Sequence, residues 1–186
     1  MRMLSFVLVA LLVCFEGDPG HTTRPAGRTT ARYNLPAVDS LANTYGKGLL
    51  LQVVRSDEVE WDGTSPRWTY EYVATAETPP KTVYRFHSVD TTVVFDDTLA
   101  LKIGAAVVPP GWCDSDAALA VAEERGGSSF RIMYSDNSIS ATLGKPVISK
   151  PTTYWYITYR SKKDKTRFFT LTIDAHTREV TGKYSY

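Results

Sequence analysis

Apolar side chains recur with a helical spacing in two separate parts of the chain. From Val38, apolar residues occupy positions i, i+3, i+4 and i+7, and from Ala118 the first three of these positions are apolar again. This spacing puts the apolar side chains on one face of a helix. Asn34 is suited to cap the beginning of the first helix, and Asp114 or Ser115 that of the second. Gly46 is suited to end the first helix in a left-handed conformation. We therefore predict two short helices.

Segments with a period of two, or with continuous apolar runs, follow each predicted helix. Such segments, rich in aromatic and β-branched residues, are typical of strands. The segments that predict strands are 49–55, 67–75, 82–89, 91–95, 128–135, 152–160, 166–174 and 178–184. Residues 136–151 are polar and contain turn-forming residues, so we predict a connecting segment there.

The pattern of the first half returns in the second half. Trp68 and Tyr72 recur with the same spacing as Trp155 and Tyr159, each pair within an aromatic strand segment. Internal similarity of this kind indicates a repeated unit, and chance similarity is the alternative because the identical residues are few. We predict an α+β fold of two tandem units, each a short helix packed on a small antiparallel β-sheet, and place them at residues 34–111 and 112–186.

The beginning of the chain predicts export. Arg2 precedes an apolar run from Leu4 to Phe15, and a polar segment with Gly and Pro follows. As a helix this run would span roughly 18 Å, too short for a hydrocarbon core of about 30 Å. It is typical of a secretory signal peptide. We predict a signal peptide at residues 1–14 and a flexible linker at residues 15–33.

The segment "LLVC" before the linker resembles a bacterial lipoprotein box. The resemblance implies lipid attachment at Cys14, although Val13 stands where such boxes usually have a small residue. Ordinary secretion is the alternative. Either way the protein is expected outside the cytoplasm, in the cell envelope or the extracellular space. Contact with a membrane is then expected only through the signal or a lipid anchor.

Composition excludes one class of partner. Hydrophobic residues make up 43% and charged residues 22% of the 186 residues, and the formal net charge is +1. Such a chain buries a core. Nucleic-acid binding requires a basic surface, whereas the longest basic run, "SKKDK", is interrupted by an Asp. We therefore predict no nucleic-acid partner.

The two cysteines predict no disulfide framework. If Cys14 is lipidated or removed, Cys113 is left without an intramolecular partner. Acidic residues follow Cys113 in "WCDSDA", which disfavours the thiolate that a nucleophile needs. We therefore predict that Cys113 is a half-buried structural residue.

Residues suited to catalysis or metal binding are scattered. His21 lies in the linker, His87 in a strand as a polar outward side chain, and His176 in a turn. Asp96 and Asp97 are adjacent, so an extended backbone would direct them to opposite faces. No nucleophile elbow, phosphate-binding loop, zinc motif or dinucleotide fingerprint occurs in the sequence. We therefore predict that the protein is not an enzyme and has no catalytic residues, metal or cofactor.

Three segments of the second half, "DSDAALAVAEERGG", "YWYITYR" and "FFTLTIDAHTREV", carry a resemblance to a known family. This resemblance is to the PepSY family of small extracytoplasmic domains, whose Asp-Ala-x-Thr-Gly-Glu-Val is close to the end of the third segment. It covers residues 112–184 directly and residues 34–97 only through the internal similarity. Arg178 stands where the family usually has Gly, which implies a different or a strained turn.

Asp174 and Thr177 are predicted to be structural residues. An Asp at a strand end accepts hydrogen bonds from backbone N–H groups two residues on, and Thr adds a second local acceptor. These two residues therefore predict a hairpin turn before the last strand.

The resemblance implies a non-catalytic binding module of the bacterial cell envelope that binds or restrains a peptidase or another protein. The alternative is a structural or small-ligand-binding lipoprotein with a cavity between helix and sheet. Most aromatic side chains of the strands are expected in the core. A second expectation is an aromatic interaction surface, because Tyr and Trp favour interfaces; its candidates are Trp68, Tyr70, Tyr72, Tyr154 and Tyr156.

Overall fold

Strands dominate the part of the chain that the computed structural model describes, which is residues 27–74, 82–100, 106–146 and 151–186. The first half contains α1 (Leu35–Tyr45), β1 (Leu49–Val59), β2 (Arg67–Ala74), β3 (Thr82–Val89) and β4 (Thr92–Ala100). The second half contains α2 (Ser115–Ala122), α3 (Ser128–Met133), β5 (Asn137–Gly144), β6 (Tyr154–Ser161), β7 (Phe168–Asp174) and β8 (Val180–Ser185). The predicted signal peptide and lipid-attachment residue Cys14 lie outside the described residues.

All the named strands belong to one antiparallel sheet, in the order β4-β3-β2-β1-β5-β6-β7-β8. The halves join where β1 pairs with β5, from Val54 opposite Leu143 to Val59 opposite Ile139. The prediction of an α+β fold with two tandem helix-on-small-sheet units is therefore wrong. Residues 34–111 and 112–186 each supply strands to the same sheet, because the 11-residue β1 is paired on both sides, with β2 and with β5.

Two elements of the second half differ from the sequence prediction. Residues 136–151 contain β5, a central strand, where a connecting segment was predicted. Its Ile139, Ala141 and Leu143 are buried on one side, and Ser and Thr alternate with them. The predicted strand 128–135 is instead α3, which follows a wide helical turn in which Gly126 has a φ of 127°.

The helices lie on one face of the sheet, where the core is formed. α1 packs on β3 and β4, and α2 packs on β6. The rings of Trp68 and Trp155, both 0% exposed, approach each other edge to face at 6.3 Å between centroids. Their indole N–H groups donate to the carbonyl oxygens of Thr29, at 2.8 Å, and Cys113, at 2.9 Å. Each central Trp therefore joins the sheet to a segment that lies over it.

The segment before α1 belongs to the folded body. Thr29 pairs with Ser65, and Ala31 is completely buried. The prediction of a flexible linker is therefore wrong for residues 27–33. The Asn34 amide donates to the Asp90 carbonyl oxygen at 2.7 Å and makes no cap bond, so it ties α1 to the β3–β4 turn instead of capping the helix.

The ends of the helices agree with the prediction only in part. Gly46 is extended, with a φ of −170°, so the predicted left-handed ending of α1 is wrong. The Asp114 carboxylate accepts a hydrogen bond from the Ser115 N–H at 2.7 Å and caps α2.

Close packing beneath the helical turn predicts that a methyl group added at Gly127 lowers the stability of the fold. A Cβ at Gly127 would meet the Tyr159 ring and hydroxyl and would lie 2.9 Å from the Ala122 carbonyl oxygen. Tyr159 is fully buried and donates to Glu123 at 2.8 Å, so it has little room to move. We expect Gly127→Ala to lower the free energy of unfolding by about 1–3 kcal/mol, measured by urea denaturation.

The matched control for this substitution is Gly144→Ala. A Cβ at Gly144 meets no atom closer than 3.8 Å, so the expected change is below about 1 kcal/mol. Equal losses for the two variants would show that the contact with Tyr159 is not responsible.

Candidate functional site

The structure separates the candidate aromatic residues onto two faces. Trp68, Tyr70 and Tyr72 are 0%, 0% and 2% exposed, beneath the helices. The Tyr70 hydroxyl donates to the Ala31 carbonyl oxygen, and the Tyr72 hydroxyl donates to the Asp39 carboxylate. Burial raises the pKa of both tyrosines well above the usual value. The prediction of an interaction surface is wrong for these three residues, because both their rings and their polar atoms are used in the core.

Tyr154 and Tyr156 lie on the opposite face, which we call the outer face. Both side chains are half-buried, with 6.3 Å between ring centroids. Thr142 and Thr172 flank Tyr156 on the neighbouring strands. Burial raises the pKa of Tyr156, and the nearby Tyr154 and Tyr184 add to this. The Tyr156 ring, which lies between two threonines, and the Tyr154 ring therefore each leave part of their surface accessible to solvent.

A hollow of about 530 Å³ lies on the outer face of β1–β4, and we call it the polar groove. Cross-strand pairing builds it, because Arg55, Thr69 and His87 stand opposite one another on β1, β2 and β3. Glu71 and Arg85 form the next row. The side chains and backbone that line the groove come from Arg55, Ser56, Asp57, Glu58, Arg67, Thr69, Arg85, His87 and Asp96.

A β-bulge in β4 shapes the groove. Arg85 stands opposite Asp97 and Phe86 opposite Phe95, so Asp96 is the extra residue between them. The bulge places both carboxylates near the Arg85 guanidinium, with N–O distances of 3.9 Å to Asp96 and 3.5 Å to Asp97. The expectation that these acids point to opposite faces is therefore wrong, since it assumed a regular strand.

His87 links the groove to the bulge. Its Nε2 lies 2.8 Å from Asp96 Oδ2 and its Nδ1 lies 2.9 Å from Thr69 Oγ1. His87 is on the outer face, as predicted, yet only 8% exposed. An Asp–His–hydroxyl chain has the order of a catalytic relay. Acyl transfer also needs N–H donors for an oxyanion, and β2 is paired on both sides. The backbone N–H groups of β2 are therefore used in strand pairing.

The charges of the groove are only partly paired. Glu71, whose side chain is 16% exposed, contacts Arg55 at 3.2 Å and Arg85 at 3.5 Å. Arg67 is exposed and makes no ion pair with another described residue. Arg55, at 44% side-chain exposure, and Arg67 therefore remain accessible to a negatively charged or carbonyl-bearing partner.

Asp174 and Thr177 lie in the turn between β7 and β8. The Asp174 carboxylate accepts hydrogen bonds from the N–H groups of His176 at 2.8 Å and Thr177 at 3.0 Å. The Thr177 hydroxyl accepts a bond from the Glu179 N–H at 3.3 Å. Arg178 has a φ of 64°, the left-handed conformation that a Gly would adopt more easily.

The remaining candidates for chemistry do not come together. Cys113 is half-buried, and burial raises the pKa of its thiol. His176 is exposed, with its ring 3.3 Å from the Pro110 carbonyl oxygen, and His21 lies outside the described residues. Within those residues, no group of three His, Cys, Asp or Glu could hold a metal ion. No helix in the described part of the chain is long and apolar enough to cross a membrane.

Loss of Arg85 is expected to destabilise the fold. Its side chain is 19% exposed and contacts three carboxylates, which an alanine would leave without this partner. We expect Arg85→Ala to reduce the free energy of unfolding by about 2 kcal/mol, measured by chemical denaturation. Arg67→Ala in the same groove is the control and should change it by less than about 0.5 kcal/mol. A neutral Arg85→Ala would contradict a structural role for these contacts.

The turn carboxylate predicts a pH dependence. Partial burial acts to raise the pKa of Asp174, but the N–H donors of Thr177 and His176 outweigh it and hold the pKa below its usual value. The ionised carboxylate therefore adds stability above the unfolded-state pKa, and this is lost as pH falls through the folded-state pKa.

The measurement compares melting temperatures of Asp174→Asn and the unchanged protein at about pH 7 and about pH 2. The variant should melt lower at neutral pH, and the difference should shrink in acid. Asp57→Asn is the control, since Asp57 is exposed and accepts no hydrogen bond from another described residue. A difference that stays constant with pH would contradict the role of the charge.

No family model matches the chain, and no curated protein matches it. The fold itself has a counterpart among solved structures. A protein of Clostridium difficile 630, described as a "putative lipoprotein", superposes with a TM-score of 0.54 at 13% sequence identity. The match covers 82% of this chain and 91% of that protein. At this identity the comparison shows a shared fold.

Proposed function

We propose that the chain is a non-catalytic binding protein of the bacterial cell envelope that contacts a protein partner through the outer face of its sheet. The observation that carries the proposal is one cross-strand row on this face. It joins the polar groove to the tyrosines and consists of His87, Thr69, Arg55, Thr142, Tyr156 and Thr172, from β3 to β7.

The row combines the side chains that protein interfaces favour. Arg and Tyr are enriched in interfaces and supply much of the binding energy there. Thr142 on β5 stands opposite Arg55 on β1 and opposite Tyr156 on β6. Arg55 and Tyr156 are therefore two strand spacings apart, at about 4.8 Å for each spacing. A partner that lies across β1, β5 and β6 would therefore contact both side chains at once.

The location in the envelope is supported by two features. The apolar run from Leu4 to Phe15 has the length and flanks of an export signal. The Clostridium difficile protein that shares the fold is described as a "putative lipoprotein". We therefore propose export, with lipid attachment at Cys14 as the form of anchoring.

A peptidase is the partner class that we propose first, because the PepSY resemblance implies it. The side chains of the outer face suit a protein surface of mixed charge, since accessible arginines lie beside acidic residues of the groove. The alternative, a small ligand in a helix–sheet cavity, stays a prediction. The nearest described space is an open hollow of about 510 Å³ between α3 and the ends of β7 and β8.

The test is capture of partners from an envelope extract with the full chain and with Tyr154→Ala/Tyr156→Ala. Each tyrosine at the centre of an interface contributes on the order of 2 kcal/mol. Because such contributions are not additive, we expect the double variant to lose at least one of them and to bind the captured partner at least about 30-fold more weakly, measured by surface plasmon resonance with the purified partner.

Tyr33→Ala is the control, because Tyr33 is 60% exposed and lies before α1, outside the sheet. It should bind as the unchanged chain does. Inhibition of the captured protein in a peptidase assay would support the peptidase class. No captured protein, or equal binding by the double variant, would contradict the outer face as the binding surface.

A further inference from the structure

One end of the sheet carries large apolar side chains in solvent. We call it the turn end, because the β1–β2 turn and the β6–β7 turn (residues 162–167) both lie there. Trp61 in the β1–β2 turn is 55% exposed, and Ile132 and Met133 in α3 are 83% and 73% exposed. Most other large apolar side chains of α2 and α3 face the core, so this exposure is not a general property of the helices.

Trp61 lies beside α3. The Arg131 guanidinium lies over the Trp61 ring, with 5.9 Å between its central carbon and the ring centroid. Trp61, Arg131 and Lys162 line one hollow of about 520 Å³, together with the acidic residues Asp57, Glu58 and Glu60. The Lys162 N–H donates to the Asp136 carbonyl oxygen at 3.0 Å, which holds the β6–β7 turn against the end of α3.

The β6–β7 turn adds positive charge to this apolar patch. Lys162, Lys163 and Lys165 are exposed, and none makes an ion pair with another described residue. The acid of this turn, Asp164, accepts bonds from Thr166 and contacts Arg167 at 3.6 Å. The lysine charges are therefore available to an external anionic surface.

The chain also enters the folded body at the turn end. Thr29 pairs with Ser65 in the β1–β2 turn, and the Arg28 guanidinium contacts Glu60 at 3.0 Å. The residues before this point include the apolar run from Leu4 to Phe15. The reach from Cys14 to residue 27 is at most about 45 Å. A bilayer that holds the apolar run or a lipid at Cys14 is therefore within reach of the turn end.

We propose that the turn end docks on the surface of an anionic lipid bilayer. Trp61, Ile132 and Met133 lie at the level of the headgroups, and Lys162, Lys163 and Lys165 face the lipid phosphates. Trp favours this interface because its ring is apolar and its N–H is polar. Lysines close to an anionic bilayer are attracted to it over about one Debye length. Docking in this way leaves the outer face of the sheet accessible to a partner.

The full chain offers a local probe of this contact. Trp68, Trp112 and Trp155 are 0%, 3% and 0% exposed, so Trp61 is the exposed one of the four tryptophans. Vesicles of phosphatidylglycerol and phosphatidylcholine should shift its emission to shorter wavelength, and phosphatidylcholine alone should shift it less. Trp61→Phe should abolish the shift. Binding by the N-terminal apolar run alone would leave the Trp61 emission unchanged and would overturn the proposal.

The charge contribution is tested by vesicle co-sedimentation. Lys162→Gln/Lys163→Gln should weaken binding to the anionic vesicles on the order of 30-fold, at about tenfold per 1.4 kcal/mol and about 1 kcal/mol per lysine. The control, Lys47→Gln/Lys145→Gln, removes two charges near the opposite end, before β1 and after β5. It should bind as the unchanged chain does.

Three further results would overturn the proposal. They are no binding to anionic vesicles, equal weakening by the two lysine pairs, and a Trp61 shift that does not depend on phosphatidylglycerol. If Lys162→Gln/Lys163→Gln instead reduced binding of a captured envelope protein while vesicles had no effect, the turn end would be a protein-binding surface and lipid docking would be wrong.

Discussion

The pairing of β1 with β5 is the interaction on which the rest of the structure depends. It makes two four-stranded sets into one sheet, so that Trp68 of the first set and Trp155 of the second meet beneath the helices. The same register aligns Arg55 with Thr142 and thereby joins the polar groove to the tyrosines. Without this pairing, β1 and β5 would each be an edge strand. Each would then have a row of backbone N–H and C=O groups facing solvent.

The aromatic side chains are buried on one face of the sheet and partly exposed on the other, and this difference follows from the hydrogen bonds of their hydroxyl and indole N–H groups. On the helix side, Trp68, Tyr70 and Tyr72 each bond an atom from the segment before α1 or from α1 itself. These bonds allow large amphipathic side chains to be fully buried. On the outer face, Tyr156 stands between Thr142 and Thr172, and Tyr154 stands between Gly144 and Asp174. These short neighbours leave both tyrosine side chains only half-buried. The same residue type is therefore structural on one face and accessible on the other.

Local sequence patterns predicted some parts of the fold well. Strands β2, β3, β6 and β7 occur within about two residues of the predicted positions, because aromatic and β-branched residues alternate clearly in them. β5 was missed because its outward positions are Ser and Thr, which are also turn residues. The single sheet was missed because strand partners are set by long-range pairing. The groove around His87 was missed because it also depends on strand pairing. The bulge at Asp96 is defined by the register of β4 against β3, which the local sequence does not contain.

The bulge in β4 has a counterpart at the other edge of the sheet. In β8, Gly182 stands opposite Thr172 and Val180 opposite Ile173, so Thr181 is the extra residue there. Both edge strands thus lose the regular spacing of hydrogen-bonding groups that an added strand would need. A sheet of this size with regular edges would be a template for association with other copies and for fibril growth. Irregular edges on both sides oppose such growth, so neither edge offers a regular ladder to which a further strand could be added.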